Sequence, residues 1–400
     1  MADAATNDLA IFTGKPRFSE ALHVGRPNIG NRTVLMERFN KMLDDRWLTN
    51  NGPFVQELES RIASYLGVSN CVAVSNATIG LEIAIRALGM TGEAIVPSFT
   101  FVATVHALQI QGITPVFCDI DPATHCMDPE KVEALITERT TGIMGVHVWG
   151  QSCAIDELTA LARKHRLRLL FDAAHAFACS HRDGMIGTFG DAEVFSFHAT
   201  KFLNSFEGGA ITTNDDDLAS RLRLMRNFGF AGLDRVTSIG TNGKMSEASA
   251  AMGLTSFESI DEFIDHNRLI HRRYRAGLSD IPGVSVLSLD GQPKQNYQYV
   301  VVEIDTYAAG LSRDEIVEVL RAENVAARRY FHPGVHRMEP YATLYPNAGT
   351  SLPQTEQLTE RVLVLPNGTA VNTTDVDSIC SIIRTAVGNA DEVRSQLARS

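Results

Sequence analysis

The sequence lacks the features of several specialised protein classes. Its six cysteines form no C-x-x-C pair, which argues against a disulfide framework and a structural zinc site, so we expect no metal. No run of about 18 apolar residues is present. The segment Met1–Asp8 carries acidic residues where a secretory signal carries basic ones. We therefore expect a cytoplasmic protein without a membrane span.

Positive charge is also scarce. Lys and Arg number 36 against 47 Asp and Glu, which leaves a formal net charge of −11. Because such a molecule repels phosphate backbones and anionic lipids, we expect neither a nucleic-acid nor a membrane partner. An anionic small substrate would need a local cationic pocket.

The composition is otherwise that of an ordinary globular protein. The 400 residues are 44% apolar and 21% charged, and this length corresponds to about two to three domains. We predict an N-terminal arm and helix over residues 1–53, a large α/β domain over 54–264 and a smaller α+β domain over 265–400.

Short β-rich apolar runs alternate with helical periodicity from Cys71 to Ala210, which is typical of a parallel sheet covered by helices. The predicted strands are 71–75, 94–97, 115–119, 142–148, 167–172, 194–197 and 209–213. The predicted helices are 78–88, 101–111, 129–136 and 155–165. A ligand is then expected beyond the carboxyl ends of the strands.

Lys201 lies in the most informative segment, Ser-Phe-His-Ala-Thr-Lys, which follows a predicted strand rich in Phe and precedes Gly208-Gly209. Apolar surroundings depress the pKa of a lysine, as a nucleophilic amine requires. The alternative is an ordinary solvated loop lysine.

A second segment, Leu-Leu-Phe-Asp-Ala-Ala-His, ends an apolar strand in a carboxylate. Asp172 is either a helix cap or the partner of a protonated heterocycle such as a pyridinium nitrogen. His175 either lies against the same ring or is a packed, hydrogen-bonded histidine. A third segment, Ser75–Thr78, is either a simple helix cap or a phosphate site made by backbone N–H groups and the Thr78 hydroxyl.

Together these segments resemble the pyridoxal-phosphate-dependent nucleotide-sugar aminotransferases of the DegT/StrS type. The resemblance also covers four further stretches: Trp47–Pro53, Val96–Phe101, Val146–Gly150 and Asn242–Glu247. It implies fold type I of these transferases, aspartate aminotransferase-like, with a large, mostly parallel sheet domain and a smaller α+β C-terminal domain.

The resemblance also implies a role for each matching residue. Lys201 is the lysine that binds the cofactor, pyridoxal 5'-phosphate, which cycles with its pyridoxamine form. Asp172 pairs with the pyridine nitrogen, and His175 lies beside the ring hydroxyl. Phe101 stacks on the ring. The other implied cofactor contacts are Ala77, Thr78 and Ser196 for the phosphate, with Asn242 and Lys244 supplied by the second subunit of a homodimer.

The sequence is most similar to the TDP-4-keto-6-deoxyglucose 4-aminotransferases of antibiotic deoxysugar pathways, with L-glutamate as donor. Arg26, Arg328 and Arg329 are the candidates for the substrate diphosphate, beside Tyr330 and Phe331. A 3-aminotransferase shares most motifs, while a sugar dehydratase would carry histidine in place of Lys201. A nicotinamide-dependent oxidoreductase lacks support because no G-x-G-x-x-G follows a strand. A non-catalytic regulatory member is the remaining alternative.

Overall fold

A computed structural model describes residues 8–289 and 291–399. The strands of the described residues are β1 Leu22–His23, β2 Asn70–Val74, β3 Glu93–Pro97, β4 Thr114–Cys118, β5 Thr140–Val146, β6 Arg168–Asp172, β7 Ser180–His181, β8 Gly184–Met185, β9 Ala192–Ser196, β10 Gly209–Thr213, β11 Val284–Val286, β12 Val300–Ile304, β13 Val325–Ala326 and β14 Val362–Leu365. The main element is a seven-stranded sheet in the order β2-β10-β9-β6-β5-β3-β4.

Sixteen α-helices occur in the described part of the chain. They are α1 Ala10–Thr13, α2 Arg32–Asp45, α3 Pro53–Leu66, α4 Ala77–Ala87, α5 Val102–Ile110, α6 Pro129–Val132, α7 Ile155–His165, α8 Asp216–Arg226, α9 Glu247–Phe257, α10 Ile260–Leu278, α11 Thr306–Ala309, α12 Arg313–Ala322, α13 Tyr341–Leu344, α14 Pro353–Thr359, α15 Thr373–Gly388 and α16 Ala390–Leu397. Among residues 8–289 and 291–399, no helix combines the length and apolar character needed to cross a membrane.

Helices cover both faces of the large sheet. Successive side chains of each strand point to opposite faces, and the apolar side chains on both faces are buried under these helices. In β2, Cys71 and Ala73 pack into the core that contains α3, α7 and α9, whereas Val72 and Val74 pack into the core that contains α4 and α8. This two-sided burial explains the nearly continuous apolar runs of the strands. The six cysteines are buried and unpaired.

The strand β10 makes this mostly parallel sheet a mixed one, in agreement with the fold that the resemblance implies. It pairs antiparallel with both β9 and β2, whereas β3, β4, β5, β6 and β9 pair in parallel. The chain between β9 and β10 contains no crossover helix, which is the usual connection between parallel strands. Residues 197–208, which include Lys201, therefore form a loop that reverses the chain at the carboxyl end of β9.

The C-terminal part contains an antiparallel sheet, β11-β12-β14, packed against α10, α12, α15 and α16. This is the α+β pattern expected there. The predicted domain boundary at residues 264 and 265 falls inside α10, and the three-part division remains a prediction. The first seven residues of the predicted N-terminal arm lie outside the described residues.

Candidate active site

The carboxyl ends of β3, β5, β6 and β9 surround a cavity of about 630 Å³. This is the end of the sheet at which a ligand was expected. Residues from at least five separate sequence segments meet here. The predicted site residues that line the cavity are Ala77, Thr78, Phe101, Asp172, His175, Ser196, Lys201, Arg328, Tyr330 and Phe331.

Lys201 projects from the β9–β10 loop, where its backbone N–H donates to the carbonyl of His198 at 2.8 Å. The neighbouring Phe197 and Phe202 are almost fully buried. Burial lowers the pKa of Lys201 from 10.5 to about 8, although the carboxylate of Asp172 opposes the shift. The Nζ atom lies 3.4 Å from the Tyr299 hydroxyl oxygen. Lys201 is thus a lysine whose neutral, nucleophilic form is populated near neutral pH.

We expect the reactivity of Lys201 in the cofactor-free protein to rise through a midpoint near pH 8. The charged form loses its proton as the pH increases, and burial moves this loss well below the usual pH range of a lysine. The measurement is brief acetylation at a series of pH values, followed by mass spectrometry of the Lys201 peptide. The exposed Lys41, whose ion pair with Asp45 raises its pKa, is the control. A common midpoint for both lysines would contradict the prediction.

Asp172 is the last residue of β6 and is 6% exposed. Burial raises the pKa of its carboxyl, but two hydrogen bonds oppose this by stabilising the carboxylate. The Thr104 hydroxyl donates to Oδ2 at 2.8 Å and the Ala174 N–H donates to Oδ1 at 3.0 Å. Such a buried, oriented carboxylate is suited to hold a cation inside the cavity.

His175 lies among aromatic rings and is buried. Its ring is nearly parallel to that of Phe331, with the centroids 6.0 Å apart. Nδ1 accepts a hydrogen bond from the backbone N–H of Trp149 at 3.2 Å, which places the proton of the neutral ring on Nε2. Burial lowers the pKa of His175 well below its usual value. The residue therefore offers a neutral N–H donor to the cavity.

The N-terminus of α4 supplies donors for an anion. Asn76 caps this helix by accepting from the Ile79 N–H, while Ala77 and Thr78 begin it. The first N–H groups of a helix have no partner within the helix and attract negative charge. A Cβ at Gly209 would lie 3.0 Å from the Ala77 nitrogen and 2.6 Å from the Phe195 carbonyl oxygen, so only glycine fits this approach.

Four predicted residues lie outside the lining of this cavity. Arg26 lines a smaller cavity together with Lys201, and Arg329 pairs with Asp314 at 3.0 Å. Asn242 and Lys244 lie beyond the β2 end of the sheet. There the Lys244 Nζ donates to the Asn227 side chain at 3.1 Å. Their role in a second subunit stays a prediction.

The sequence interpretation missed Tyr299 and Thr104. Tyr299 precedes β12, far from the motifs around Lys201, and its position gave no sign of contact with the lysine. Thr104 follows Phe101 by three residues, which on a helix places both near the same ligand. That spacing was the available signal for Thr104.

Comparison with known proteins places the chain by family. Residues 31–384 match the model of the DegT/DnrJ/EryC1/StrS aminotransferase family. The chain belongs to this family. The implied fold is confirmed, since solved structures of aminotransferases superpose on it over nearly the whole length.

Three relatives illustrate the similarity. The chain is 37% identical to a dTDP-4-amino-4,6-dideoxy-D-glucose transaminase of Shigella dysenteriae, covering 91% of this chain and 98% of the relative. It is 49% identical to DesI, analysed in the presence of its TDP-sugar product, with a TM-score of 0.93 and coverage of 98% and 100%. A family member from Brucella abortus is 28% identical, with a TM-score of 0.82 and coverage of 89% and 96%. As a member of this family, the protein is an aminotransferase.

Proposed function

We propose that this aminotransferase transfers the amino group of L-glutamate to C4 of TDP-4-keto-6-deoxy-D-glucose, in the supply of amino sugars to natural products. The products are TDP-4-amino-4,6-dideoxy-D-glucose and 2-oxoglutarate. The observation that carries the chemistry is the meeting of Lys201, Asp172 and the α4 N-terminus in one cavity. The similarity to DesI and to the Shigella transaminase supports the choice of sugar.

The cavity fits pyridoxal 5'-phosphate by the chemistry of its donors and acceptors. Ala77, Thr78 and Ser196 provide N–H and hydroxyl groups for the phosphate, and Asp172 provides an anion for the ring nitrogen. Phe101 is 57% exposed at the cavity, as a face that stacks on a ligand would be. When bound, this cofactor supplies an electron sink for the carbanion of transamination.

The protein's own groups move the protons. The Lys201 amine, with its pKa near 8, is able both to accept a proton from the carbon that bears nitrogen and to return one. The Tyr299 hydroxyl at 3.4 Å orients this amine. The neutral His175 donates a hydrogen bond without adding positive charge. Rings of Trp149 and Phe331 around His175 exclude water from this side.

The test of the reaction is product analysis. The purified holoenzyme is first incubated with L-glutamate, freed of it, and then offered TDP-4-keto-6-deoxyglucose. NMR of the product is expected to show nitrogen at C4, and mass spectrometry to show one amino group. Nitrogen at C3, or no amination of this sugar, would contradict the proposal.

Arg328 is the better candidate for the substrate diphosphate. Its guanidinium lies 5.1 Å from the centre of the Tyr330 ring and lines the cavity. No carboxylate of a described residue lies within 4 Å of it, whereas Arg329 is paired with Asp314. A free guanidinium is suited to phosphate because its donors form a planar fork. Since the net charge is −11, such a local cation is needed.

We expect Arg328→Ala to raise the KM for the nucleotide sugar on the order of 10- to 100-fold, because a charge-assisted contact to phosphate is lost. The half-reaction with glutamate, which carries no diphosphate, should change little. Arg329→Ala is the matched control and should have a smaller effect. The two half-reactions are measured separately by rapid mixing. An equal rise in the KM for the nucleotide sugar in both variants would count against Arg328 as the diphosphate ligand.

We also propose a homodimer with a shared active site. Large apolar side chains are exposed near the N-terminus, in the β9–β10 loop and between β10 and α9, which is unusual for a monomer surface. They include Met36, Leu43, Phe206, Phe228, Leu233 and Ile239. Asn242 and Lys244 lie between β10 and α9, directly after the exposed residues there, which agrees with their predicted role across the interface.

Subunit mixing tests this proposal. We expect Lys201→Ala protein and a protein altered at both Asn242 and Lys244 to be inactive separately. After exchange, mixed dimers should contain one intact site, so up to about a quarter of the wild-type sites should return. Light scattering should show a dimer. A fully active monomer, or no recovery despite demonstrated exchange, would contradict a shared site.

A further inference from the structure

A chain of three side chains joins the large sheet to the wall of the cavity. Ser98, directly after β3, contacts His336, with its Oγ 2.6 Å from Nδ1. The Nε2 of His336 lies 2.6 Å from Oε1 of Glu356 in α14. Ser98 is fully buried and His336 is 2% exposed. We name Ser98, His336 and Glu356 the serine–histidine–glutamate relay.

The arrangement resembles the triad of a hydrolase, but it is not one. A nucleophilic serine has to reach a substrate, and the relay serine is without solvent exposure. Its hydroxyl oxygen also accepts the backbone N–H of His336 at 3.1 Å, so its own proton points to Nδ1. The ring proton then lies on Nε2 and is donated to Glu356, whose charge Arg337 also contacts. The Ser98 hydroxyl and both ring nitrogens of His336 thus have hydrogen-bond partners within the relay.

The relay lies close along the chain to the segment that lines one wall of the cavity. This wall, Arg328–Phe331, is fixed at its start by paired backbone hydrogen bonds between Arg328 and Val364. At its other end, Gly334 donates to the Phe331 carbonyl at 2.6 Å and Val335 donates to the Ser98 carbonyl at 3.1 Å. The relay completes this second anchor through the side chain of the next residue, His336.

The same serine lies close to the cofactor side of the cavity. Thr100 follows it by two residues, and its hydroxyl contacts that of Thr104 at 2.9 Å, which in turn donates to Asp172. Phe99 packs edge-on against Phe331 with the centroids 5.5 Å apart. The segment after β3 is therefore connected both to Asp172, through Thr100 and Thr104, and to the wall, through Ser98 and Phe99.

We propose that Ser98, His336 and Glu356 are positioning residues that hold the Arg328–Phe331 wall in the geometry required by the nucleotide sugar. This inference rests on the proposed function, because it assigns the wall to the larger of the two substrates. Glutamate, which is smaller, depends on the wall less. Loss of the relay should therefore act on the sugar half-reaction and on its KM.

Four variants separate positioning from a general structural effect. Ser98→Ala and His336→Gln remove the side-chain hydrogen bond between Ser98 and His336, whereas His336→Asn retains an acceptor near the position of Nδ1. Arg337→Ala is the matched control, since it removes only the half-exposed partner of Glu356. We expect Ser98→Ala and His336→Gln to raise the KM for the keto sugar on the order of tenfold, with the glutamate half-reaction within about twofold of wild type.

His336→Asn should restore most of the lost affinity, and Arg337→Ala should resemble the wild type. Equal slowing of both half-reactions, or an unchanged KM in Ser98→Ala and His336→Gln, would overturn the relay's role. If Ser98→Ala fails to fold, the comparison of His336→Asn with His336→Gln decides in its place. A wild type that aminates no keto sugar would contradict the proposed function itself, and the role of the relay with it; an active wild type with unaffected variants contradicts the relay alone.

Discussion

Lys201→Ala should lose transamination by at least about 10³-fold, because the change removes both the covalent anchor and the proton-transferring amine. Among the residues that line the cavity, Lys201 is the only lysine, so no neighbour is placed to replace it. The measurement is turnover with L-glutamate and the keto sugar. Borohydride reduction of the wild-type holoenzyme should fix the cofactor to the peptide that contains Lys201.

A matched lysine variant makes this result specific. Lys41 is exposed and paired with Asp45 on α2, so Lys41→Ala should keep near-normal turnover. The Lys201→Ala protein should retain its fold, since the side chain makes one weak hydrogen bond to Tyr299. Normal turnover of Lys201→Ala, or a reduced label on another peptide, would show the assignment to be wrong.

The local features of the site could be predicted from the sequence. The strands that end near Asp172 and Ser196 were predictable because both of their faces are buried and their apolar runs are continuous. The polar residues directly after these strands had to meet at one edge, since parallel strands share that edge. The cap at Asn76 follows in the same way from its place between a strand and a helix.

Contacts between distant segments were beyond such reasoning. Ser98 and His336 are 238 positions apart, and no periodicity links them. Arg328 and Arg329 are adjacent and chemically alike, so only the position of Asp314 distinguishes the free guanidinium from the paired one. The pattern of apolar residues also did not show which strand runs antiparallel, because an apolar run carries no sign of the direction of its neighbour.

Asp172→Asn should reduce turnover on the order of 10²-fold or more while some cofactor still binds through Ala77, Thr78 and Ser196. Asparagine keeps the size of the side chain but removes the charge that stabilises a protonated ring nitrogen. The cofactor spectrum and turnover are measured on the same preparation, so that loss of binding is separated from loss of rate. Near-normal turnover of a loaded variant would refute the role of Asp172.

A change at Thr104 tests the same role of Asp172 with a smaller expected effect. The Thr104 hydroxyl donates to Asp172 and opposes the rise in the pKa of that carboxyl caused by burial. Thr104→Val should therefore raise the pKa of Asp172 further, with a rate loss of about tenfold that is smaller than that of Asp172→Asn. Because the ionised carboxylate is the active form, activity declines as the pH falls through the pKa of the folded state, and in Thr104→Val this decline should begin at a higher pH. An acid limb that stays at the wild-type position in kcat/KM profiles would mean that Thr104 does not act through the charge of Asp172.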